Sequence, residues 1–231
     1  MGIFKGLSFA FAVLAVGSSA FAYTVDPSVP AEIKKQLADD LTFIGTIQSE
    51  TQSGLHQKIF GKVDGGVYNQ FFNSRVTAVG MNDCGNPQAV ACVIPFFNPS
   101  KIWLTQNFIK FSHPQIARMM VVFHESRHTE SAHGNWGHAT CPTPFLGADG
   151  KPIMSIWTGA TLAGQPACDT TPFGSYGSSM IMLKNVSKFC MNCTDKVKMD
   201  AGIYADDQFK RVIDKDAIDQ IKKDLYAVRE E

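Results

Sequence analysis

The chain has no excess of charge of either sign. Lysine plus arginine and aspartate plus glutamate both count 21 in 231 residues, so the formal net charge is zero. A basic surface holding nucleic acid is therefore not expected. After the first two dozen residues there is no apolar run long enough to cross a bilayer, which excludes a later membrane span. No internal repeat and no low-complexity tract interrupts the chain, so solenoids and disordered linkers are also set aside. Histidine is scarce at 6. Its placement is uneven: His124, His128, His133 and His138 fall within one short stretch.

The N-terminal residues read as a targeting segment. Lys5 supplies a positive start, residues 7–16 an apolar core, and Ala20-Phe21-Ala22 an A-x-A cleavage site. The expected division is a signal peptide over residues 1–22 and one domain over 23–231, soluble and exported, either periplasmic or secreted. No cysteine follows the cleavage site, which argues against a lipid anchor. Six cysteines in an exported chain imply disulfides. Proximity suggests Cys84–Cys92 and Cys190–Cys193, leaving Cys141–Cys168. Cys190-Met191-Asn192-Cys193 also spells C-x-x-C, but its surroundings lack the βαβ pattern of a redox motif, so a structural bridge is the reading.

Residues 123–138 organise the rest. They open with His124-Glu125-Ser126-Arg127-His128, an H-E-x-x-H pattern. Helix positions four apart differ by about 40° in azimuth, so both imidazoles leave one face and can bind one metal ion. Glu125 sits one step round, close to the metal but not a ligand, where it can accept and return a proton. The preceding residues 116–123 are mostly apolar, as in a buried helix, and Ser112 and Pro114 mark its start.

On these residues the chain resembles the zincin metallopeptidases. The resemblance implies a single Zn²⁺, Glu125 as general base and acid, and a peptide or protein as substrate. It covers about a tenth of the chain with specific residues. The metzincin pattern would need glycine at Ser131 and histidine at Gly134, so this is not a standard metzincin. Three residues compete as third ligand. His138 comes first, because the turn formers in 134–137 would end the helix, with Gly134 as its C-cap, and fold the chain back. Asp169 comes second, in a segment running to Tyr176-Gly177 that is loosely similar to the aspzincins. His133 comes third, since helical phase sends it about 140° from His128. Glu130 points off the metal face. Tyr176 is a candidate catalytic phenol that could stabilise an oxyanion.

The fold expected is α+β: a small mixed sheet, then a buried metal-binding helix, then a helical C-terminal part, stapled by disulfides. The sheet part would occupy 23–133 and the helical part 134–231. Helices are expected at 31–47, 175–188, 195–213 and 217–228, the last two with charged outer faces. Short β-rich runs lie at 76–79, 89–94 and 101–105. Residues 102–105 are the expected edge strand for substrate, as the resemblance implies. The irregular stretch after His138 would wall or cover the cleft. The alternative to a zinc peptidase is a catalytically inactive, zinc-stabilised binding module. The two differ in whether the fourth coordination position is open to solvent.

Overall fold

Ile33, Leu37, Leu41 and Ile44 repeat every three or four residues and line one face of helix α1 (Ala31–Ile44), where all four are buried. That stripe begins the core of an α+β fold. The computed structural model describes residues 23–227. The expected leader at 1–22 and the end of the expected last helix lie outside the described residues.

Two short helices follow, α2 (Gly54–Ile59) and α3 (Gly65–Asn73). The sequence pattern predicts no helix over 65–73, so α3 is a correction to that reading. Asp64 caps its start by accepting from the Val67 N–H, and Tyr68, Phe71 and Phe72 give it a buried face. Strands β1 (Thr24–Val25), β2 (Ala78–Met81), β3 (Ala91–Ile94) and β4 (Asn98–Leu104) form a sheet in the order β1-β2-β4-β3. β1, β2 and β4 run parallel, and β3 pairs antiparallel with β4 through a hairpin, so the sheet is mixed. β4 is interior, which corrects the expected edge at 102–105. The edge strands are β1 and β3, the latter tied to the preceding loop by the Cys84–Cys92 disulfide.

After α4 (Gln106–Lys110) comes α5 (Gln115–Arg127), the central helix. It is buried almost all round, with Met119, Val122 and Phe123 at or below 1 % exposure. Each such side chain contributes about 1.5–3 kcal/mol by leaving water. α5 is locked to α1 by Arg118, whose Nε and Nη2 both donate to the buried Asp40 carboxylate at 2.6 Å. The two-stranded ribbon of β5 (Ala139–Thr140) and β6 (Pro166–Cys168) follows, closed by Cys141–Cys168. The C-terminal part is helical: α6 (Ser175–Phe189), α7 (Asp195–Phe209) and α8 (Lys215–Ile221), the last continuing into a π turn at Lys222–Tyr226. α6 packs between α5 and α7. Ser178 and Ser179 turn their hydroxyls back to the carbonyls of Gly174 and Ser175, which satisfies them inside the core. The third disulfide is Cys190–Cys193, so all three pairs are those suggested by proximity.

Candidate metal site and cleft

α5 ends at Arg127 with His128 as its cap, nearly two turns before Gly134, which corrects the expected helix end. His128 is the C-cap residue, so His124 and His128 sit in the last turn and its cap. The chain then reverses through Gly134, Asn135 and Trp136, with φ of 61°, 55° and 47°. Glycine adopts this left-handed region freely, but a tryptophan there costs on the order of 1–3 kcal/mol and needs anchoring. Glu130 supplies the anchor. Its Oε2 accepts from Trp136 Nε1 at 2.7 Å, and its Oε1 accepts from Arg127 at 2.6 Å and Arg75 at 2.8 Å. His128 and Asn135 close the turn reciprocally, ring Nδ1 to carbonyl and amide to carbonyl, both at 2.7 Å. The reversal delivers His138 to the face of α5 that carries His124 and His128.

The three Nε2 atoms form a near-equilateral triangle. His124 to His138 is 3.2 Å, His128 to His124 is 3.2 Å and His128 to His138 is 3.1 Å. These are not mutual hydrogen bonds. Each ring already spends its other side on an acceptor: Asn135 O for His128, Asp169 Oδ1 for His138 and the Ser175 backbone for His124. With the proton on that side, every Nε2 presents a lone pair to the other two. Three converging lone pairs repel unless a cation lies between them. The spacing is close to the roughly 3.3 Å edge of a tetrahedron of imidazole nitrogens about 2.05 Å from a centre. Burial pushes His124 well below its usual range and His128 down to about 4, so both are neutral donors at neutral pH. The donor set fits a metal ion.

Glu125 follows His124 but is not in the triad. Its side chain is 5 % exposed, and Oε2 has no protein partner. Burial alone pushes its carboxyl up to about 8. The triad and Glu125 open onto one cleft of about 630 Å³. One wall is the β3 edge, including Ala91 and Val93; the other is the irregular segment around Trp157 and Leu162, so the stretch after His138 is a wall. Tyr176 also lines the cleft. Its ring lies 4.5 Å from the His138 ring in a stacked pose and 4.4 Å from that of His124. Burial raises the phenol above its usual value, which keeps it protonated as a donor.

Of the rival third positions, His133 stacks on Trp136 at 4.9 Å and is not in the cluster. Asp169 reaches the triad only through His138, with its Oδ1 3.1 Å from His138 Nδ1. Glu130 is the anchor of the turn. Sequence reasoning missed Arg211. Read as a charged outer face, it is 6 % exposed and lines the cleft, its Cζ 4.6 Å from the Tyr176 ring centroid. Nothing in its local pattern signals this, because the fold that buries it is made of distant segments. No protein-family model, curated protein or solved structure matches the chain.

Proposed function

We propose that this protein is an exported, zincin-like zinc hydrolase that cuts peptide or closely similar amide bonds. The observation that carries the reading is the triangle of His124, His128 and His138 Nε2 atoms at the wall of an open cleft beside an unpartnered Glu125 carboxylate. Three protein ligands with an accessible further position are the pattern of a catalytic zinc, whereas structural sites are closed by four. Bound there, Zn²⁺ would supply Lewis-acid polarisation of the substrate carbonyl and activation of water. A cation beside Glu125 favours its ionised form and so lowers the raised carboxyl into a range suited to a general base. Glu125 then takes a proton from the attacking water and returns it to the leaving amine. Tyr176 lines the cleft and is the candidate donor to developing negative charge. The free edge of β3 offers unpaired backbone groups along which an extended peptide can add as a strand. Three disulfides support an exported setting, and no helix among the described residues is long and apolar enough to cross a membrane.

The test is cleavage of a mixed peptide library by the zinc-loaded protein and by Glu125→Gln. The reading expects products from the wild type, and a loss of at least about 100-fold in the variant with metal retained. Zinc binding with no cleavage of any peptide would favour the inactive, zinc-stabilised module instead.

A further inference from the structure

The peptidase reading leaves Arg211 without a task. It is among the most buried charged residues of those described, yet it faces the same cleft as the triad. Its Cζ lies 4.6 Å from the Tyr176 ring centroid, and that ring is 4.4 Å and 4.5 Å from the His124 and His138 rings. The guanidinium therefore stands one aromatic ring away from the metal triad.

Its charge is poorly compensated. The Asp207 Oδ2 atom lies 3.8 Å from Nη2, outside hydrogen-bond reach. Asp207 already accepts from Gln208 Nε2 at 2.9 Å, so it makes no hydrogen-bonded pair with Arg211. Its other near neighbour is the face of the Tyr176 ring, 4.6 Å from Cζ. Nε is buried with no partner at all. A guanidinium cannot shed its proton, so one this loosely paired at this depth is costly. An anion arriving in the cleft relieves that cost.

Arg211 is also held in register with the metal triad. The Asp169 N–H donates to the Arg211 carbonyl at 2.8 Å, and the Ile213 N–H donates to the Asp169 carbonyl at 2.9 Å. The residue that aims His138 thus also fixes the backbone on both sides of Val212.

We propose that Arg211 binds a carboxylate of the substrate, so that the cleft selects peptides with a carboxylate close to the scissile bond. The inference rests on the hydrolase reading above. The carboxylate is either the free C-terminus or an aspartate or glutamate side chain. Arg211 supplies a planar, multi-donor fork matched to either, and truncating it leaves the ligand anion unpaired.

Two matched peptide pairs test this: a free C-terminal acid against its amide, and an internal glutamate against glutamine. The wild type should prefer the acid in one pair by about 100-fold in kcat/KM. The pair that shows the preference identifies the source of the carboxylate. Arg211→Met should bring that ratio close to one, and Arg211→Lys should keep part of it. Zinc content and melting temperature of each variant are measured first, so that a folding defect is recognised. Equal rates for acid and amide in the wild type, or an unchanged ratio in Arg211→Met, would overturn the proposal. If the wild type cleaves nothing, the hydrolase reading fails on that result alone. The carboxylate site is then read by calorimetry on zinc-loaded Glu125→Gln with both matched pairs, the C-terminal acid against its amide and the internal glutamate against glutamine. Tighter binding of the acid in either pair that vanishes when Arg211→Met is added upholds the role of Arg211, and equal binding in both rejects it.

Discussion

Asp169 holds His138 with one carboxylate oxygen and the start of α6 with the other. Oδ1 lies 3.1 Å from His138 Nδ1, while Oδ2 accepts the backbone N–H groups of Tyr176 at 2.7 Å and Gly177 at 3.1 Å. One buried anion thus fixes the ring of a candidate ligand and places Tyr176 beside it. Its charge suits the positive end of the helix dipole. Carboxylates behind metal-ligating histidines are worth about 10–100-fold in metal affinity. Asp169→Asn should therefore weaken zinc binding by that factor in a chelator competition, while His138→Ala should cost far more. Equal losses would make Asp169 a ligand in its own right.

Gly174 marks how tightly that carboxylate is packed. A Cβ at Gly174 would come within 2.3 Å of Asp169 Oδ2, and the φ of −63° shows that space, not backbone conformation, demands glycine. Gly174→Ala must displace Asp169 or the start of α6. A loss of about 1–3 kcal/mol in chemical denaturation is expected, with weaker zinc binding alongside. A variant as stable as the wild type, with full zinc affinity, would show that the carboxylate is free to move.

His124 and His128 were legible as partners because one helix carries both, and their geometry depends on four residues of local sequence. His138 was legible through the turn formers before it, although the helix ends earlier and the reversal depends on Glu130 holding Trp136. Asp169 stood out as an acid near the site, but only tertiary packing distinguishes a residue that orients a ligand from the ligand itself. Arg211 and the interior position of β4 were not legible, because both are set by contacts between segments far apart in the chain. The α3 helix was hidden by aromatic residues that favour strands equally well.

The Cys141–Cys168 bond joins the segment just after His138 to the residue just before Asp169. Replacing both cysteines with alanine should lower stability by about 3 kcal/mol. It should also lower zinc affinity, because the two segments would then be held only by the β5–β6 ribbon. Opening Cys190–Cys193 instead should leave zinc affinity unchanged. Calorimetric zinc titration of the two double variants distinguishes the cases.

His56 sets a pH response away from the cleft. It is fully buried, with Nε2 2.8 Å from the Tyr68 hydroxyl and Nδ1 2.9 Å from the Gly61 carbonyl. Burial depresses it to about 4. Its folded value lies below the unfolded value of about 6.5, so the unfolded chain takes up the proton first as pH falls. Its stabilising effect is thus complete above about pH 6.5 and is lost progressively down to about pH 4, amounting to about 3 kcal/mol. In urea titrations at pH 7.5 and 4.5, His56→Gln should lose correspondingly less stability than the wild type. An identical loss would mean that another group carries the response.

The measurement closest to the centre of the account is zinc stoichiometry by elemental analysis after dialysis of the wild type and four single variants. The zinc hydrolase proposal predicts about one zinc per chain in the wild type, and its near-complete loss in His124→Ala, His128→Ala and His138→Ala. His133→Ala, whose ring stacks on Trp136 outside the triangle, should keep the full complement. A wild type that neither carries nor takes up zinc, or a His138→Ala protein that holds it as well as His133→Ala, would contradict the account.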